Sequence, residues 1–385
     1  MINYTRMKET RKRKILFITP LASRTGSEMV LLNIILGLDR SKYEIALASY
    51  AQGELLKDLP DHVRVYKVPG NFSMLDRVSY HLGRHPIVTA LKNIQKDFKA
   101  DMWYLNTIVL PQAASTAVAL DIPFVVHFHE MPLSYVYVSQ EEFDLIIHKA
   151  HHIIGCSEAT CEGIRQAGAK KVSLVYEFIE DKVQPKDDAE VAAIRNKFGI
   201  GPGQFAWIMS GVPSERKGFD LFPEIAELLD DANTHLIWVG GGAGHDGYIG
   251  WVENRIRSLR SRTKIHLAGR QKEKYHQYLH AADGFILTSR QDPFPLVMIE
   301  AAALGKPIVS FPSGGVSELM IDGMGAVTED ISAKQMVREM KRVMTGETAC
   351  DPAISRKRMK EYDISKGMET WNRVMDRVAE EILPG

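Results

Sequence analysis

Two acids in the second half of the chain have a spacing that could grip an extended ligand. Asp292 and Glu300 stand eight residues apart in DPFPLVMIEAAALG, just after the apolar run GFILTS. Pro293 and Pro295 mark a helix start, where a missing N–H costs least. The amides that follow Phe294, those of Leu296 and Val297, then point outward with the positive end of the helix dipole, an arrangement suited to phosphate. If the stretch rises as helix, the acids are about 12 Å apart. That is too far to share a proton or one metal, but it suits hydroxyls at the two ends of one ligand with phosphates between. A sugar nucleotide has that layout. The same spacing also fits an ordinary amphipathic helix with acids in its first turns.

Four further segments invite the same question. GVPSERKGF carries Arg216 and Lys217 after the run FAWIMS. Two cations beside a helix tip suit a diphosphate leaving group, although an RK pair also suits a solvated loop. In TGSE, Gly26 lets backbone approach a ligand, and Ser27 reads equally as a helix cap. His129 ends the run PFVVHFH and is expected to face a crevice as a donor. Gly314 and Gly315 in SGGVSE follow another strand and could admit a ligand closely.

These residues need a scaffold that brings them together. Short apolar runs alternate with helical stretches along the chain. Strands are predicted at 15–19, 43–48, 63–68, 102–106, 124–128, 153–156 and 172–176, then at 205–210, 235–239, 264–267, 284–287 and 307–310. Helices are predicted between them, with a last one at 368–382. Near-continuous apolar strands joined by helices indicate parallel sheets covered on both faces. The charged stretch EDKVQPKDD, 180–188, reads as a linker. The expected fold class is α/β, with two doubly wound Rossmann-like domains facing a central cleft. They are expected at 1–180 (with the helix 366–385 packing back) and at 187–365. Such sheets carry ligand sites at their strand C-termini.

Composition fits a globular protein of two domains: 385 residues, 45% hydrophobic and 25% charged. Lys+Arg and Asp+Glu balance at 48 each, which gives no global pull toward nucleic acid. Three cysteines form neither a disulfide framework nor a zinc pair, and a reducing, cytoplasmic setting is expected. No apolar run reaches the roughly 20 residues of a membrane span. The basic run Arg11–Lys14 reads as a solvated tail, or as peripheral contact with an anionic inner membrane face.

In order and spacing, these segments resemble glycosyltransferase family 4, the retaining group with the GT-B fold. TGSE, His129, Lys217–Gly218, the acid pair within DPFPLVMIEAAALGKPIV, and SGGVSE carry the resemblance over nearly the whole chain. It implies that Glu300 binds the donor's ribose, while Asp292 and the amides after Phe294 hold the transferred sugar and its phosphate. Arg216 and Lys217 would bind the diphosphate, and His129 would sit over the sugar. It further implies a UDP-, GDP- or ADP-sugar donor and a glycan, lipid-linked or small-molecule acceptor, as in polysaccharide biosynthesis. Attack on the same face, with the leaving phosphate helping to deprotonate the acceptor, needs neither a protein nucleophile nor a metal or cofactor. The chain departs from the family pattern in four places: Asp292 for glutamate, Pro295 for glycine, TG for GG, and Val212 for an arginine that Arg216 could replace.

Rival readings are weaker. Gly242–Gly247 matches GxGxxG, but it follows the second strand of its domain and no acid ends the next strand, which argues against a dinucleotide enzyme. GCSEA imitates a nucleophile elbow, yet Ser157 suits a helix cap. His148 and His152 are expected on one helix face without a third ligand. A sugar-nucleotide epimerase or hydrolase on the same fold, or a nucleotide-sugar-binding subunit without turnover, are the alternatives to transfer.

Overall fold

The structure is a computed structural model that describes residues 11–69, 85–179, 184–241, 247–271 and 273–382. The apolar runs become two all-parallel sheets. The first has seven strands in the order β3-β2-β1-β4-β5-β6-β7. These are β1 Arg13–Thr19, β2 Tyr43–Ser49, β3 Arg64–Lys67, β4 Met102–Asn106, β5 Phe124–Phe128, β6 His152–Gly155 and β7 Val172–Leu174. The second has six strands in the order β10-β9-β8-β11-β12-β13. They are β8 Phe205–Ser210, β9 Thr234–Val239, β10 Lys264–Gly269, β11 Gly284–Leu287, β12 Ile308–Ser310 and β13 Gly325–Val327. Every residue of β4, β5, β9 and β11 is buried, as expected of strands covered on both faces.

Helices fill the crossovers. One core of the first domain lies between its sheet and the helices Pro86–Phe98 and Pro111–Ala119. The other lies under Gly26–Gly37 and the C-terminal helix Ile364–Ile382, which returns from the second domain. Trp371 anchors that return: it is fully buried and its indole N–H donates to the Tyr104 hydroxyl at 3.1 Å.

Several local expectations change. The segment read as linker runs into a helix, because Asp187 accepts from the amides of Ala189 and Glu190 and starts Asp188–Lys197. Residues 180–183 lie outside the described part, as do 242–246 of the GxGxxG match. His152 is not on the helix of His148, which ends at Lys149; it opens β6, and its Nε2 meets the Ser173 hydroxyl at 2.9 Å. The basic run is partly neutralised: Arg11 pairs with Asp101, and Lys14 with Glu44 at 3.0 Å. Among the described residues no helix is long and apolar enough to cross a membrane.

Replacing a fully buried tryptophan leaves a large cavity. Trp371→Ala should therefore lower stability by roughly 3–5 kcal/mol, read from the midpoint of urea denaturation. A loss below about 1 kcal/mol would show that the C-terminal helix does not depend on this anchor.

Candidate active site

All the singled-out segments lie at the C-terminal ends of strands, where the two sheets face each other. In the second domain, the loop after β8 folds against the loop after β11. Gly218 has φ +71°, and a Cβ there would fall 2.0 Å from the carbonyl oxygen of Thr288, so only glycine lets the two loops touch. The Thr288 hydroxyl donates to the Lys217 carbonyl at 2.8 Å, and the Arg290 amide to the Arg216 carbonyl at 2.8 Å. This zipper brings the Lys217 ammonium to the Asp292 carboxylate at 2.5 Å, with both side chains largely buried. Ser289 also donates to Asp292, at 3.0 Å. The Arg216 guanidinium donates to the Gln291 carbonyl at 2.9 Å.

Pro295 caps the helix Leu296–Ala303, whose first turn is closed by the amides of Met298 and Ile299 donating to the Pro295 carbonyl. The amides of Leu296 and Val297 thus stand at its tip. Phe294 is buried, packed on Tyr176 and Tyr362, and therefore supports the tip from behind. Glu300 lies one helix face further on. Its carboxylate is 3.8 Å from His276 Nε2, and it lies beside the half-buried Tyr275, whose hydroxyl is pushed up by burial and by that carboxylate. Tyr275 also adjoins Ser210, the last residue of β8, so Glu300 lies toward the C-terminal end of that strand.

The turn after β12 has a different role from the one expected. Asp292 and Gly314 form a parallel bridge, and the Gly315 amide donates to the carbonyls of Asp292 and Pro293. A Cβ on Gly314 would meet the Asp292 carbonyl oxygen at 2.4 Å and Met131 Sδ at 2.5 Å; one on Gly315 would meet the Pro293 carbonyl oxygen at 2.2 Å and Ser157 Cβ at 3.0 Å. The space beside both glycines is thus filled by protein, and they serve domain contact rather than ligand access. Three residues on, Glu318 reaches the first domain. Its carboxylate accepts from the amides of Glu158 and Ala159, at 2.7 and 3.0 Å, at the start of the helix Glu158–Gln166. Ser157 caps that helix by accepting from the Thr160 amide at 3.1 Å, so the residue resembling a nucleophile is structural. Gln291 adds a further link by accepting from the Leu133 amide at 2.8 Å.

The first-domain wall is built on β1, β4 and β5. Gly26 opens the helix Gly26–Gly37, and a Cβ on it would come within 3.7 Å of Leu296 Cδ1, so two helix tips meet across the cleft. Ser27 is not the cap: Thr25 holds that position without a side-chain cap bond, and its hydroxyl donates to the Glu28 carboxylate. Ser27 instead offers its carbonyl to the Asn106 amide group at 3.2 Å. Asn106 and Glu177 in turn hold His129. Nδ1 is 2.9 Å from Glu177 Oε1, Nε2 is 3.2 Å from Asn106 Oδ1, and the side chain is 5% exposed. His129 is therefore enclosed in a network rather than open to the cleft. Burial pushes the nearby Glu28 and Glu130 carboxyls up.

Ligand atoms of His129, Cys156 and Glu177 all lie within 4.8 Å of one another. Burial pushes the Cys156 thiol well up, which disfavours the thiolate a metal needs, and the His129–Glu177 contact accounts for the grouping. Tyr135 packs inward on Phe128 and Phe143, while Tyr137 is exposed. Phe72 and Tyr80, which could also stack on a sugar, lie outside the described residues. Sequence reasoning missed Glu177 and Tyr275, which carry no local motif, and gave no role to Glu28, which stands in TGSE. Glu318 stood in a motif already noted, but only the fold reveals its partner.

Two facing parallel-sheet domains with a cation–acid cluster at their shared edge define the GT-B architecture. Residues 24–183 match the family model described as Glycosyltransferase Family 4, and residues 190–366 the one described as Glycosyl transferases group 1. The chain belongs to the family 4, group 1 glycosyltransferases. It is 29% identical over 171 residues to the alpha-galactosylglucosyldiacylglycerol synthase of Streptococcus pneumoniae, covering 42% of this chain and 44% of that protein. It is 31% identical over 162 residues to the mannosylfructose-phosphate synthase of Agrobacterium fabrum, covering 40% of this chain and 35% of that protein. The chain thus spans less than half the length of these curated relatives. In fold it is similar to Anabaena Alr3699/HepE, solved in complex with UDP and glucose. The TM-score is 0.78 at 22% identity, covering 94% of this chain and 99% of that one.

Removing the Glu318 carboxylate leaves two helix amides uncapped and loosens the domain contact. Glu318→Ala should cost about 1 kcal/mol of stability by urea denaturation and raise the radius of gyration in small-angle scattering. An unchanged radius would mean that the two domains are held without this contact.

Proposed function

We propose that the chain is a retaining glycosyltransferase that moves a sugar from a nucleoside-diphosphate donor to a glycan, lipid-linked or small-molecule acceptor. One observation carries the reading: Lys217 pairs with Asp292, four residues before a helix tip whose Leu296 approaches Gly26 at the tip of a first-domain helix. Two helix tips and an ammonium suit a pyrophosphate, whose charge grows as the glycosidic bond breaks. Lys217 has three N–H donors and directs one at Asp292, leaving others for phosphate oxygens. Arg216, in the same loop, adds a second cation. Glu300, 22% exposed, faces the cluster as an acceptor for ribose hydroxyls, and Asp292 as one for hydroxyls of the transferred sugar.

The names of the relatives support transfer, and the UDP and glucose held by the HepE structure support a nucleotide sugar as donor. In this reading, protein cations and amides neutralise the departing phosphate, so transfer should persist in EDTA. The acceptor would enter from the first domain, past Tyr137 and the helical turn Pro132–Tyr137.

A thermal-shift screen over UDP-, GDP- and ADP-sugars should raise the melting temperature with one nucleotide class, because a ligand that binds only the folded state stabilises it. With that donor, Lys217→Ala and Glu300→Gln should each lower kcat/KM for transfer at least tenfold, about 1.4 kcal/mol or more of transition-state stabilisation. Wild-type rates in both variants would remove these residues from the site. Sugar release without an acceptor, followed by proton NMR, would favour a hydrolase.

A further inference from the structure

We propose that His129 is held as a doubly protonated imidazolium, with Glu177 as its positioning residue, and sets a fixed positive charge within the first-domain wall, behind Asn106. The hydrogen-bond inventory around the ring leads there. Glu177 Oε1 faces Nδ1 at 2.9 Å, and an ionised carboxylate only accepts. Asn106 faces Nε2 at 3.2 Å through its Oδ1. The orientation of that amide is fixed independently, because its NH₂ group donates to the Ser27 carbonyl at 3.2 Å. Turning the amide over would set its oxygen against the Ser27 oxygen, two acceptors face to face. Both ring nitrogens of His129 therefore meet acceptors, and both carry hydrogen.

The neighbouring imidazole is the opposite case. The Trp371 indole, a donor only, points at the Tyr104 hydroxyl, whose own hydrogen is free to go to His127 Nδ1 at 2.8 Å. Among the described residues His127 Nε2 meets no acceptor, so no partner stabilises a charged ring there. The two rings lie tilted against each other with centroids 4.0 Å apart, a distance at which two cations would repel strongly. Burial holds His127 well below its ordinary pKa. Burial also opposes the His129 cation, but Glu177, then Glu130 and Glu28, outweigh it and raise that pKa. The groups facing His129 are thus Glu177 beyond β7, Glu28 on the first helix, Glu130 next in sequence, His127 on β5 and Cys156 after β6.

The role rests on the proposed reaction. Asn106 is a neutral acceptor at the longer of the two contacts, and a donor oxygen can take its place on Nε2–H while Glu177 keeps hold of Nδ1. The result is a charge-assisted hydrogen bond to the donor, opposite Lys217.

The test is the full chain labelled with ¹⁵N-histidine and followed by long-range ¹H–¹⁵N NMR, with His129→Asn used for assignment. Both nitrogens of His129 should show imidazolium shifts at pH 7.5, while His127 stays neutral. Glu177→Gln should lower the His129 titration midpoint by at least one pH unit, and Glu177→Asp should restore part of it. A non-protonated His129 nitrogen at pH 7.5 in the wild type overturns the proposal even if no variant folds, and so does a Gln variant with an unmoved midpoint. With the donor found above, kcat/KM should fall as pH rises through this midpoint, and the limb should move to lower pH in Glu177→Gln. Imidazolium shifts without any transfer would sink the reaction and leave the protonation state standing.

Discussion

The backbone bridge between Asp292 and Gly314 is the constraint on which the site depends. It ties the loop after β11 to the turn after β12, and both glycines of that turn are packed too tightly to carry a side chain. From there the chain runs three residues to Glu318, which holds the tip of a first-domain helix. The acid beside Lys217 and the contact that sets the domain spacing thus share one rigid segment. The path from the first-domain helix to Asp292 thus runs through one side chain, the doubly bonded Glu318 carboxylate, and then through main-chain hydrogen bonds.

The charges within this frame are held by partners rather than left free. Lys217 and Asp292 pair with little exposure, Arg290 grips Asp220 with two bonds at 2.8 and 2.7 Å, and His129 lies against Glu177. Buried pairs of this kind add little net stability, since desolvation offsets attraction, but losing one partner is costly. Their value here is geometric: each cation is fixed before any ligand arrives. Such preorganisation is where electrostatic stabilisation of a leaving group gains most.

The sheets were legible because their strands are apolar on both faces, and helical crossovers of mixed character separate them in the manner of βαβ units. The helix Asp188–Lys197 escaped because it buries only Val191 and Ile194, and its acidic start continues a charged linker. β13 escaped because three half-buried residues, GAV, carry no period. His152 was misassigned since HKAHH reads as helix, whereas the helix stops at Lys149 and the next residues belong to the sheet. In the site, residues standing in local motifs were visible: Lys217 in the loop after β8, and Asp292 and Glu300 eight positions apart after β11. Those joined across long separations were not. Glu177 meets His129 from 48 positions away and Glu318 meets Glu158 from 160, and no local pattern records either contact.

The same separation explains why the cleft should favour an anion. Each helix tip concentrates partial positive charge on its free amides. Gly26 and Leu296 set two such tips so close that a Cβ on Gly26 would contact the Leu296 side chain, with the Lys217–Asp292 pair in the second domain and His129 enclosed in the first. Asp292 and Glu177 each answer one side chain, which leaves the amide tips facing each other. Two like dipole ends brought together repel unless something negative lies between them. In the proposed function a pyrophosphate would supply that charge and bridge both domains at once, so that binding the donor and stabilising the closed cleft would become the same event.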